Sequence, residues 1–225
     1  VGGNRWGEAL LISIAAGVPL AALESTGCRA ARAMPNLAAE IGRGITALAA
    51  GRGVDERCME MARALFSAVG ETVTLADEKL LDAVTAVSGS GPAYVFAFTQ
   101  ALEAAACREG LPAEVAARLA RATVVGAAAL MEARPDDPPA CLREEVTSPG
   151  GTTAAALAVF GHNSALRTLM EEAVRAAHRR AVELGREVAA GLRTGKPGEE
   201  DDGREDEKPG NGLGKGPPPD NGRDE

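Results

Sequence analysis

Aromatic residues are nearly missing from this chain: four Phe, one Trp and one Tyr make up 3% of 225 residues. A core built without them rests on Ala, Leu and Val. Small side chains let helix axes approach closely, so the composition predicts a mainly helical body. Histidine is scarcer still, at two residues, and the four cysteines, Cys28, Cys58, Cys107 and Cys141, form no C-x-x-C pair. With so few soft ligands neither a zinc site nor a disulfide framework is favoured, and a reduced, cytoplasmic setting fits. No apolar run reaches the ~20 residues of a membrane span, and residues 1–7 lack the charged-then-apolar order of a signal peptide. Basic clusters interleaved with aromatics are absent too, and the net charge is −8, which argues against a nucleic-acid partner.

What is present is 45% hydrophobic residues, enough to bury a real core. The charge is unevenly spread. From Gly191 to the end there are six basic and ten acidic residues, so half of the net charge sits in a stretch with hardly any apolar side chains. Such a stretch cannot bury enough surface to offset its ordering entropy, and residues 189–225 are expected to form a disordered acidic tail.

The first third reads as α/β. Residues 9–14 are almost continuously apolar, the pattern of a strand buried on both faces, and end in Ala15, Ala16 and Gly17 before a short helix opened by Pro19. Ligands of parallel sheets bind at such strand ends. Residues 29–34 make a second strand that stops at Pro35 and Asn36, residues 44–50 a third, and residues 71–75 return to extended character. Between them Val54, Cys58, Met61, Leu65 and Val69 repeat at helical spacing. This alternation predicts a sheet with helices, with a boundary near Ala76.

From Asp77 the pattern is all helical. Asp77 can cap a helix reaching Val87 with Glu78 in its first turn, and the Ser-Gly-Ser-Gly-Pro of residues 88–92 is expected to interrupt it. A long helix over residues 92–109 puts Val95, Phe98, Leu102 and Ala106 on one face and ends at Gly110. The next, opened by Pro112, carries a stripe of mainly small residues: Val115, Leu119, Ala122, Gly126 and Ala129. A short helix over residues 140–146 and an amphipathic one over residues 164–188 complete the set.

Between these last two lies Val146, Thr147, Ser148, Pro149, Gly150, Gly151, Thr152, Thr153, running into an alanine-rich helix. Leading helix amides lack intrahelical acceptors and sit at the positive end of the dipole, so a small carboxylate or phosphate can bind there beside two hydroxyls. Ordinary turn and N-cap chemistry would use the same residues, and both readings stay open at this level.

Four landmarks in order carry a resemblance: the strand end at residues 14–18, Arg32-Ala33-Met34-Pro35-Asn36, the run from Asp82 through Ser88-Gly89-Ser90-Gly91-Pro92 to Tyr94, and residues 146–153. Together they closely resemble pyrroline-5-carboxylate reductase, over about residues 10–184. The resemblance implies the last part of a Rossmann cofactor domain (residues 1–76), then a helical dimerisation and substrate-binding domain (residues 77–188). The implied fold class is mainly α, with an incomplete Rossmann-like segment. It also implies reduction of 1-pyrroline-5-carboxylate to L-proline by direct hydride transfer from NADPH or NADH, with no catalytic nucleophile and no metal. The implied assembly is a homodimer of interlocking helices or a larger ring of dimers, its site lying between the cofactor domain of one subunit and helices of the dimer. Carried over by position, Glu78, Ser148, Thr152 and Thr153 bind substrate, and Ala15, Ala16 and Asn36 line the cofactor side.

One departure stands against this. A reductase of this kind opens with a strand and G-x-G-x-x-G, and Val1-Gly2-Gly3 is not that motif. The chain reads as lacking the front of its cofactor domain. A catalytically silent helical dimerisation protein that keeps the substrate clamp is therefore the alternative.

Overall fold

The computed structural model describes residues 9–194. Four strands form one sheet in the order β1 (Leu10–Ser13), β2 (Arg29–Met34), β3 (Gly44–Ala50), β4 (Gly70–Leu75). The β1–β2 and β3–β4 pairs are parallel, whereas β2 and β3 run antiparallel with Ala33 opposite Leu48. The antiparallel step follows from chain length. Only a short 3-10 turn, Leu37–Ile41, separates β2 from β3, too little for the dozen or more residues of a parallel crossover.

Strand alternation then sorts the side chains. Ala31, Ala33 and Leu48 face α2 (Glu56–Ser67), packing on Met59 and Ala62. Ala47 and Ala49 face the other way, onto Leu81 of α3 (Leu80–Val84), together with Met34. The sheet is thus covered on both sides by helices set closely on alanine, in keeping with a core nearly free of rings. Residues 30–33 are buried on both faces. By contrast β1, expected to be buried on both faces, is half-buried, because it lies at the margin of the sheet. At the opposite margin Gly44 pairs with Gly70 so closely that a Cβ on Gly70 would lie 1.9 Å from the Gly44 carbonyl oxygen.

The remaining elements are helices: α1 (Leu20–Glu24) near the front of the chain, then α3, α4 (Gly91–Arg108), α5 (Ala113–Ala133), α6 (Pro139–Glu145), α7 (Thr152–Gly161) and α8 (Ala165–Thr194). The expected interruption at residues 88–92 does not occur as a break. Thr85–Gly89 forms a π turn, closed by the Ser90 amide on the Thr85 carbonyl at 2.9 Å, and the chain passes almost directly into α4. Helix α8 continues through Thr194, beyond the expected end at Val188, and the rest of the expected tail lies outside the described residues. Between α7 and α8, Asn163 and Ser164 take positive φ values of 49° and 57° and turn the chain sharply.

Candidate substrate and cofactor site

The cofactor-side candidates sit where β1 ends. The Ser13 hydroxyl accepts from the Ala15 amide at 3.3 Å, turning the chain as it leaves the sheet. Ala15 and Ala16 are exposed, and Gly17 follows with φ +78°. Methyl side chains leave this backbone open to close approach by a large planar ligand, beside the carboxyl end of the parallel neighbour β2. Asn36 lies at the exit of β2, where its Oδ1 accepts from the Ile45 amide at 3.2 Å, so its side chain also closes the turn into β3.

The π turn lies against the same edge of the sheet. A Cβ on Gly89 would approach Met34 Cε to 3.1 Å, which places residues 88–91 beside the Met34-Pro35-Asn36 exit. Internal bonds hold this wide turn: Thr85 Oγ1 donates to the Leu81 carbonyl at 2.8 Å, Ser88 Oγ to that of Val84 at 3.1 Å, and Tyr94 Oη to that of Ala86 at 3.0 Å. Two landmarks far apart in sequence therefore meet. No local pattern pointed to the Tyr94 tie, which joins the first turn of α4 to the π turn.

The substrate-side candidates lie at the start of α7. Gly150 has φ +71°, and the Gly151 amide donates to the Ser148 carbonyl at 3.0 Å, forming a tight turn. Gly151 takes the N-cap position and no side chain caps the helix. Ser148 and Thr152 are exposed and Thr153 is half-buried, so the leading amides and the hydroxyls share an open surface. Below them, Arg134 grips Asp137 at 2.6 Å and both oxygens of Glu145 at 2.7 and 2.5 Å, tying the end of α5 to the end of α6, from which the Ser148 turn departs.

Glu78 is held by two partners within the chain. Its Oε1 accepts from Arg32 Nη1 at 2.9 Å and from the Leu20 amide at 2.7 Å. The cause is Arg32. It points to the α3 face of the sheet, is buried, and needs a counter-charge there. Among the described residues no three His, Cys, Asp or Glu side chains gather as a metal site, and no helix is long and apolar enough to cross a membrane.

A family model described as pyrroline-5-carboxylate reductase dimerisation matches residues 78–184. The pyrroline-5-carboxylate reductase of Synechocystis is 46% identical over 187 residues, covering 82% of this chain and 68% of that protein. The chain belongs to the pyrroline-5-carboxylate reductase family. The Mycobacterium leprae reductase is 43% identical over 200 residues, covering 80% of this chain and 67% of its own. Among solved reductases, that of Coxiella burnetii superposes with a TM-score of 0.75 at 38% identity, over 80% of this chain and 67% of that one. The Plasmodium falciparum enzyme, solved with NADP bound, superposes with a TM-score of 0.68 at 31% identity, over 78% of this chain and 71% of its own. The family match thus takes in α3 to α7, α8 as far as residue 184, and the two glycine-bearing turns described above.

Proposed function

We propose that this protein reduces 1-pyrroline-5-carboxylate to L-proline with NADPH or NADH. The observation that carries this reading is the uncapped start of α7, with Ser148, Thr152 and Thr153 around it. A small ring carrying one carboxylate matches that surface: the leading amides and the Ser148 hydroxyl take the carboxylate, and the Thr153 hydroxyl faces the ring nitrogen. Ala15 and Ala16 receive the dinucleotide at the end of β1, with Asn36 at the neighbouring strand exit. When bound, the nicotinamide supplies the hydride. The π turn at residues 85–89 walls the reacting carbon, and the chain's part in the rate is positioning. No covalent nucleophile takes part, because a protonated imine is already electrophilic.

The sheet-end residues and the α7 start are joined into one site when two copies interlock. The apolar side chains left bare on the helices support this: Phe96 is 60% exposed, Val125 62% and Leu169 65%. The unit in solution is a homodimer, which can assemble further into a ring of dimers, and its setting is the cytoplasm.

The test is imine-dependent oxidation of NADPH and NADH by the purified chain, with Thr153→Ala beside it. Turnover that Thr153→Ala weakens, with the KM for the imine raised about tenfold, is the expected result. Absence of turnover in a chain that still dimerises and binds L-proline would identify the silent dimerisation protein instead.

A further inference from the structure

Glu78 stands just ahead of α3, at the entrance to the helical half, yet both partners of its Oε1 belong to the α/β half, 46 and 58 positions earlier in the chain. Arg32 lies within β2, with 9% of its side chain exposed, and Leu20 is the first residue of α1. One carboxylate oxygen therefore neutralises a buried guanidinium and holds the amide that closes the β1–α1 loop. That loop carries Ala15 and Ala16.

A second contact holds the same loop from the other side. Gly17 lies against α8 so closely that a Cβ on it would sit 3.0 Å from the Gly185 amide nitrogen and 3.1 Å from Gly185 Cα. With φ at +78°, a side chain there would meet strain as well as backbone. The crest of the loop is set by α8 and its exit by Glu78, across a cleft of about 330 Å³ lined by Gly17, Arg32, Glu78, Asp82, Gly185 and Arg186.

From this geometry we infer that Glu78 is a positioning residue for the cofactor loop and does not contact the substrate. It acts through the Leu20 amide and the Arg32 guanidinium, and it couples the place where the dinucleotide lands to the place where the helical half begins. The inference rests on the reductase reading for the identity of the loop's ligand, but the mechanical link does not depend on it.

The test uses the full chain and two readouts. In hydrogen exchange without ligands, Glu78→Gln speeds exchange of residues 15–24 about tenfold, while residues 44–50 in β3 keep their protection, which separates local release from general loosening. In steady-state assays the same variant raises the KM for NADPH about tenfold and leaves the KM for the imine within about twofold. Arg32→Lys keeps the positive charge with one fewer fixed donor geometry and shifts both readouts in the same direction by less. It serves as the comparison if a Glu78 variant fails to fold. Wild-type exchange over residues 15–24 in Glu78→Gln overturns the inference, as does a raised imine KM with unchanged NADPH KM, which would return Glu78 to the substrate. Should the wild-type chain show no turnover at all, the reductase reading falls and the exchange result still decides whether Glu78 holds the loop.

Discussion

Asp55 shows how one side chain can begin an element and make it sensitive to acid. Its carboxylate caps α2, with Oδ1 accepting from the Cys58 amide at 2.8 Å, and Oδ2 lies 3.5 Å from Arg29. The bonds to Cys58 come first among the causes that hold the Asp55 carboxyl below its ordinary value of 3.8, with Arg29 and Arg57 adding to them. Because the folded value is the lower one, the cap's contribution is complete above about pH 4 and is lost as the pH falls through the folded value. Thermal unfolding between pH 7 and pH 3 should therefore show Asp55→Ala destabilised at neutral pH, with its deficit shrinking in acid. Asp55→Asn, still a good cap, should track the wild type more closely at neutral pH. A deficit independent of pH would assign the effect to packing.

At the scale of elements, the start of the β3–β4 pair offers the sharpest prediction. Gly70 has φ +146° and lies against Gly44, so Gly70→Ala must push two backbones apart. We expect a loss of roughly 2–4 kcal/mol in denaturant unfolding, whereas Gly110→Ala, at a helix end with nothing within 4 Å of an added Cβ, should cost about 1 kcal/mol. Equal losses would mean that backbone conformation, not crowding, decides both. Most elements were readable from local patterns: β2 and β3 fall on residues 29–34 and 44–50 as expected, because β2 is rich in alanine and stops at Pro35 and β3 is a small apolar run that begins at Gly44 and stops at Gly51. The π turn was not, since Ser-Gly-Ser-Gly-Pro carries the same residues as a helix break. What converts it to a wide turn is the bonding of Thr85, Ser88 and Tyr94 to carbonyls around it. The antiparallel β2–β3 step was within reach of the sequence, from the length of the connection, while the partners of Glu78 were not. An ion pair spanning 46 residues depends on which face of the sheet α3 covers, and that is settled only by packing.

For the molecule as a whole, the question is what covers the helices. The small-residue stripe Val115, Leu119, Ala122, Gly126 and Ala129 is exposed at all five positions, while Ala116 and Ala120 on the same helix are buried. Burying one such Val or Leu across an interface is worth about 1.5–3 kcal/mol. Val125→Glu places a charge within the bare face, beside that stripe, and light scattering should show it shift to monomer at concentrations where the wild type is dimeric. Arg167→Glu, on an exposed ion pair with Glu171, should leave the mass unchanged. A Val125→Glu protein of wild-type mass would place the interface elsewhere.

The π turn has a further consequence for that face. A turn closed five residues back holds one residue more than the α-helical repeat, so it rotates everything downstream about the helix axis by roughly 100° relative to an uninterrupted helix. It sets the phase of α4, deciding which way Val95 and Phe98 look when a second chain arrives. Deleting a single residue between 85 and 89 would leave every downstream side chain chemically intact and still point the helix the wrong way.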